Sequence, residues 1–257
     1  MKHTRHTWVV TALVWLLLPG ACANADDAAE HRTVEVVTTH PHDREAFTQG
    51  LEIDGEVLYE GTGMVGRSDV RSTDRRSGAE LAHVDLPLPF FGEGLTLAGD
   101  TLWQLTWQEG VAFARDPHTL AEKQRVPYQG EGWGLCYQEG RLVMSDGSAT
   151  LTFRDPVTFA VTGSVGLTDH TDARLNELEC AEDGSVYANV WPTDQILQID
   201  PGTGRVRAVI DAAGLLPADQ RAGTDVLNGI AQIPGTDRFL ITGKYWPTVF
   251  QVRFVPA

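Results

Sequence analysis

An all-β, five-bladed β-propeller is the fold class this sequence predicts, and three observations predict it. First, five segments share one hairpin pattern: "TQGLEIDGEVLYEGTG", "GEGLTLAGDTLWQLTW", "GWGLCYQEGRLVMSDG", "NELECAEDGSVYANVW" and "LNGIAQIPGTDRFLITGK". The residue that opens the frame falls at Gln49, Glu93, Trp133, Asn176 and Asn228, in steps of 44, 40, 43 and 52. A period near forty with short strands and a turn inside each pair marks radial repetition of sheets. Second, an Asp-Pro turn recurs as "RDPHTL" at 115, "RDPVTF" at 154 and "IDPGTG" at 199, with "STDRRSG" a degenerate first copy. Asp and Pro suit the turn between the two outer strands of a blade. Third, the last repeat ends at "VFQVRFVPA", one strand short, while the β-branched "TVEVVTT" at 33–39 has no hairpin partner of its own. That strand is expected to close the fifth blade and cover its open edge. An eight-to-ten-strand sandwich is the plainer rival, and the even spacing disfavours it.

The elements follow in order. Residues 1–25 read as a targeting segment, with basic "MKHTRH", apolar "WVVTALVWLLL" and small-residue "PGACANA". The apolar run is too short for a membrane span. Cleavage after Ala23 or Ala25 is expected, giving an exported protein, periplasmic or secreted. Cys22 stands where a lipid-anchored protein would carry its acylated cysteine, although Pro19 suits that site poorly. Residues 26–257 are expected to form one propeller domain and to act as a monomer.

The 257 residues are 42% hydrophobic, enough for a substantial core, and carry a formal charge of −15. Loss of the leader removes Lys2 and Arg5 and no acid, leaving the remainder more negative still. Such a surface excludes nucleic acid and anionic membranes as natural partners. Cys136 and Cys180 occupy equivalent places in successive repeats. Equivalent strands of adjacent blades are expected to stand too far apart to bridge, which favours two buried thiols over a disulfide.

In an antiparallel hairpin the start of the first strand lies beside the end of the second. All five hairpins therefore present two marked positions at the same end of a central channel. One set is Gln49, Glu93, Trp133, Asn176 with Glu177, and Asn228; the other is Gly63, Trp107, Gly147, Trp191 and Lys244. Purely structural strands would repeat Val or Ile there. Here each repeat contributes a different polar or aromatic group, which is the composition of a small-ligand pocket. By alternation Glu177 and Glu179 face away from Leu178. Gly92 and Gly94 are expected to leave room for a substrate backbone beside Glu93. His40, His42, His83, His118 and His170 are scattered without metal-ligand spacing, so no metal or cofactor is expected. Ser145 lacks the glycines of a nucleophile elbow, and no dinucleotide or phosphate loop occurs.

Eight short motifs in order, "AFTQGL", "FGEGLT", "LTW", "EGWGL", "NELE", "NVWPTDQI", "LNGIA" and "TGKYWP", resemble the plant and bacterial type of glutaminyl-peptide cyclotransferase, from about residue 33 to the C-terminus. The resemblance implies a five-bladed propeller unrelated to the zinc-dependent animal enzymes. It implies cyclisation of an N-terminal glutamine of a peptide or protein to pyroglutamate, with release of ammonia. The family's catalytic glutamate falls on Glu93, and its substrate-binding aromatics and polar groups on Phe47, Gln49, Trp107, Trp133, Asn176, Trp191 and Lys244; Asn228 matches a family motif.

The chemistry suits these residues. One carboxylate can accept the proton of the attacking amine and hand it to the departing nitrogen, and Gln49, the Asn side chains or Lys244 can donate to the oxyanion. Because the amine attacks its own side chain, only one residue needs enclosing, and those that follow are expected in solvent. Two other classes stay open: a calcium-dependent lactonase with a Glu93–Asn176–Asn228 ring, and a propeller that binds peptides without catalysis.

Overall fold

The computed structural model describes residues 1–3 and 28–257. Cys22 and nearly all of the targeting segment lie outside the described residues. The chain enters as β1 (Glu30–Pro41) and then makes hairpins throughout. The first unit holds β2 (Thr48–Asp54), β3 (Val57–Thr62), β4 (Asp69–Asp74) and β5 (Glu80–Asp85). The second holds β6 (Gly92–Ala98), β7 (Thr101–Thr106), β8 (Val111–Arg115) and β9 (Glu122–Pro127). β10 (Leu135–Gln138), β11 (Arg141–Met144), β12 (Thr150–Arg154) and β13 (Val161–Gly166) form the third. β14 (Leu175–Cys180), β15 (Val186–Val190), β16 (Gln195–Ile199) and β17 (Val206–Asp211) form the fourth. The chain ends with β18 (Leu227–Gln232), β19 (Arg238–Gly243) and β20 (Thr248–Pro256). One 3-10 turn, Ala218–Gln220, lies in the longest connection and accounts for the longest step of the repeat. Among the described residues no helix is long and apolar enough to cross a membrane.

The strand over 33–39 lies within β1, which pairs antiparallel with β20 from Arg32↔Pro256 to Pro41↔Thr248. It thereby completes a last four-stranded unit, as its unpaired β-branched sequence requires. Its first residues also pair in parallel with β17, Glu30↔Ala208 to Thr33↔Asp211. At twelve residues β1 is long enough to extend to the free edge of the fourth unit. The last two units consequently form one eight-stranded sheet, beside three separate four-stranded sheets.

The first strands β2, β6, β10, β14 and β18 touch in succession, and β18 returns to β2, closing a ring. They are buried on both faces, whereas outer strands such as β5 and β13 alternate between exposed and half-buried residues. Each apolar cluster lies between two consecutive units: Leu51 with Ala231, Tyr59 with Leu95, Trp103 with Leu135, Val143 with Leu178, and Ile210 with Ile230. Closing the ring buries every one of these faces, so no unit is left with an open core.

The Asp turns are built alike. Asp116 Oδ1 accepts from the N–H groups of His118 and Thr119 and from the Thr119 hydroxyl. Asp155 does the same with Val157 and Thr158, and Asp74 with Arg76 and Ser77. Each turn closes on a residue at positive φ: Gly78, Leu120, Phe159 and Gly204. Where that residue is not glycine, a buried arginine five positions earlier donates to its carbonyl, Arg115 to Leu120 and Arg154 to Phe159.

The expectation of separate thiols is corrected. Cys136 on β10 and Cys180 on β14 are disulfide-bonded, with Cα atoms 5.3 Å apart. First strands of neighbouring units touch directly, β10 against β14 among them, so equivalent positions come within bridging distance.

Candidate active site

The local backbone explains how the opening residue of each frame is aimed. Register breaks interrupt four first hairpins, between Thr48 and Gly50, Gly92 and Leu95, Leu175 and Leu178, and Leu227 and Ile230. Those breaks contain Gln49, Glu93, Asn176 with Glu177, and Asn228. A bulge frees its residue from the ladder and re-aims its side chain. Trp133 stands just before β10, its carbonyl accepting from Gly94 N–H at 2.9 Å.

The result is one cavity of about 340 Å³ lined by Phe47, Gln49, Met64, Phe91, Glu93, Trp107, Trp133, Arg174, Asn176, Trp191 and Lys244. Two aromatic groups wall it. Phe91 packs between Phe47 and Trp107, with ring centroids 6.0 and 5.6 Å away. Trp133 and Trp191 meet edge to face at 6.1 Å. One carboxylate oxygen spans the rim: Glu131 Oε2 accepts the indole N–H of both Trp107 and Trp133 at 2.9 Å. These bonds, that of Trp133 first, hold the Glu131 carboxyl below its ordinary value.

At the floor, Glu93 is 4% exposed. Gln49 Nε2 donates to its Oε1 at 2.9 Å, while its Oε2 is buried without a partner among the described residues. Burial pushes this carboxyl well above the ordinary range; the charge of Lys244 pulls it down, and Glu109 and Glu131 add to the rise. Lys244 is itself buried, its Nζ 4.6 Å from the centre of the Phe47 ring. Desolvation lowers its affinity for its proton, against the attraction of Glu93 and Asp225. Asn176 Oδ1 is a second unspent buried acceptor. A ligand rich in N–H donors, such as an amine beside a primary amide, would satisfy both acceptors.

Of the residues expected at the mouth, Phe47, Gln49, Glu93, Trp107, Trp133, Asn176, Trp191 and Lys244 line this cavity; Asn228 does not, nor does Glu177, which is buried against the backbone N–H groups of Leu51 and Ile230. Asn228 is fully buried behind Gln49, its Nδ2 donating to the Thr48 carbonyl and to Gln49 Oε1. Those bonds spend the donors that the oxyanion reading needs, while Asn228 Oδ1, the atom a cation would use, is buried without a partner among the described residues. Gly63 and Gly147 give way to the walls: a Cβ at Gly63 would stand 2.3 Å from Phe91, and one at Gly147 2.7 Å from Trp133. The expected role of Gly92 and Gly94 is corrected too. A Cβ at Gly92 would meet the Thr62 carbonyl at 2.5 Å, and at Gly94 the Gly134 backbone at 2.7 Å. With Glu93 turned to the cavity, its neighbours in the strand face the adjacent units, Gly92 the end of β3 and Gly94 the chain entering β10, so the glycines make room for protein rather than substrate.

Phe91, Arg174 and Glu131 were missed, although a signal was present. Each stands two residues before an opening position, as Phe47 does before Gln49, and a period of two returns a side chain to the same face. Met64, at φ 87° just after Gly63, had no such signal.

Fold and site together define an all-β chain carrying one aromatic-walled cavity with a protonatable carboxyl at its floor. The chain belongs to the glutamine cyclotransferase family, whose profile matches residues 9–254. It is 39% identical over 232 residues to the glutaminyl-peptide cyclotransferase of Arabidopsis thaliana, covering 87% of this chain and 72% of that one. The crystal structure of Myxococcus xanthus glutaminyl cyclase superposes with a TM-score of 0.82 at 38% identity, covering 90% of this chain and all of that one.

Proposed function

We propose that this protein is a glutaminyl-peptide cyclotransferase, closing an N-terminal glutamine to pyroglutamate with release of ammonia. Family membership and the likeness to the Arabidopsis and Myxococcus proteins support the activity. The observation that carries the mechanism is the buried Glu93 at the floor of the aromatic cavity, the one carboxylate among the described residues that line it. The α-amine attacks the side-chain amide carbon, forming a C–N bond. Glu93 as carboxylate accepts the amine proton and delivers it to the amide nitrogen, and the original C–N bond breaks to release ammonia. Lys244 and the Asn176 amide stand as oxyanion donors, since Gln49 is engaged with Glu93. The tryptophan walls hold the short side chain folded on its own amine.

The five four-stranded units support reading the architecture as a five-bladed propeller whose last blade is completed by β1. The leader supports export of a single catalytic domain, 26–257, to the periplasm or medium, with Cys22 as the alternative anchor point. The reaction as written uses no metal. Ammonia release from glutaminyl peptides, measured with and without a chelator, tests the whole reading. Undiminished release in chelator is expected; release that vanishes and returns with calcium would favour the lactonase-like ring, and peptide binding without release a non-catalytic propeller.

A further inference from the structure

We propose that Arg174 forms a subsite for a carboxylate on the residue that follows the reacting glutamine. The inference rests on the cyclotransferase reading and names a substrate class for the same site. Arg174 lines the cavity at its open end and is exposed, whereas Glu93 and Lys244 are buried within it. Its guanidinium lies 4.1 Å from the centre of the Trp191 ring and 5.2 Å from that of Trp133. These two indoles fix the position of a long side chain that would otherwise sample many rotamers. Stacking uses the face of the guanidinium and leaves the N–H groups at its edge unspent. Among the described residues it has no hydrogen-bond or ion-pair partner.

Of the neighbouring charges, Glu131 feels Arg174, whose charge helps hold its carboxyl down, but it makes no ion pair with the arginine. Both oxygens of Glu131 are engaged, Oε2 by the two indoles and Oε1 by Gln108. Arg67, near the Phe47 side, is paired with Glu45 and donates to Tyr245. Arg174 therefore presents a pre-positioned fork at the mouth with no ion-pair partner among the described residues.

The direction of the substrate follows from its chemistry. Both the amine and the side-chain amide must reach Glu93, so the α-carbonyl and everything after it point to the open end, where Arg174 stands. A carboxylate there comes from an acidic second side chain or, in a dipeptide, from the C-terminus. Either matches the fork in geometry and charge. The second residue is then partly read and not merely left in solvent.

The test compares kcat/KM for three C-terminally amidated tripeptides, Gln-Glu-Ala, Gln-Ala-Ala and Gln-Lys-Ala, and for Gln-Ala as free acid and as amide. At low salt the acidic peptide should exceed the neutral one by about two- to fivefold, the upper part of the range of an exposed ion pair, with the basic peptide lowest. The free acid should likewise exceed its amide. Both differences should shrink at about 0.5 M salt. Arg174→Ala should bring acidic and neutral peptides together, and Arg174→Glu should reverse the order. Equal rates for the wild type, or an unchanged order in both variants, overturn the subsite. So does a uniform fall for all peptides in Arg174→Ala, which would make the arginine a brace for the indoles. A wild type that releases no ammonia from any of them overturns the cyclotransferase reading itself.

Discussion

Gln49 Nε2 donates to Glu93 Oε1 at 2.9 Å, joining the first strands of two neighbouring units at the floor of the cavity. Gln49 cannot turn over without losing Asn228, which donates to its Oε1 at 3.1 Å. The chain Asn228–Gln49–Glu93 thus orients one oxygen of the carboxylate and leaves the other free for a proton.

Replacing Glu93 by Gln keeps its size but removes the proton carrier. Turnover should fall by about 10²–10⁴-fold while peptide binding survives. Near wild-type turnover would reduce Glu93 to a binding group. The pH profile adds a second readout. Burial holds the Glu93 carboxyl above its ordinary value, so the carboxylate needed as base disappears as pH falls through an elevated pKa. Lys244 opposes that rise, so Lys244→Met should move the acid limb of kcat/KM to higher pH. An acid limb that stays in place or moves down would contradict this coupling.

Glu131 holds Trp107 and Trp133 through one oxygen. Glu131→Ala should loosen both walls, raising KM several-fold with a smaller change in kcat, because walls position the substrate while Glu93 moves the proton. Steady-state kinetics with tryptophan fluorescence check this; a loss confined to kcat would be inconsistent with it.

Three carboxyls sit together away from the cavity floor. Glu52 is pushed up to about 7, chiefly by burial; Glu177 is raised well above the ordinary range by burial and by Glu179, and Glu179 by burial and by Glu52. Glu177 also accepts N–H bonds from Leu51 and Ile230, tying β14 to β2 and β18. The folded state keeps these protons to higher pH than the unfolded chain does. Stability should therefore fall as pH rises from about 4.5 through 7 and beyond, as each folded-state carboxyl ionises. Glu179→Gln, neutral at every pH, should flatten that decline at alkaline pH. Thermal melts across pH read the effect; an unchanged slope would separate Glu179 from it.

The disulfide closes a loop 44 residues apart in sequence and staples two first strands of the ring. Replacing both cysteines by Ser should cost about 2–4 kcal/mol of stability, with the kinetics at Glu93 little changed below the new melting temperature. Equal melting temperatures for the oxidised protein and the variant would show that convergence of the strands alone sets their geometry.

The sequence by itself determined whatever depends on local periodicity. The repeat near forty set the hairpins, the Asp turns, and the frame that aligns Gln49, Glu93, Trp133 and Asn176. The unpaired "TVEVVTT" settled which strand completes the last sheet. These are nearest-neighbour properties, carried by alternation and turn chemistry within a few residues. Tertiary structure decided how closely neighbouring units approach. It brought Cys136 to Cys180, packed Gly92 and Gly94 against adjacent backbones, and drew Asn228 behind Gln49. It also let β1 reach β17 as well as β20. No local pattern specifies those distances, because they arise only when the apolar faces of successive units close on one another and their first strands come into contact.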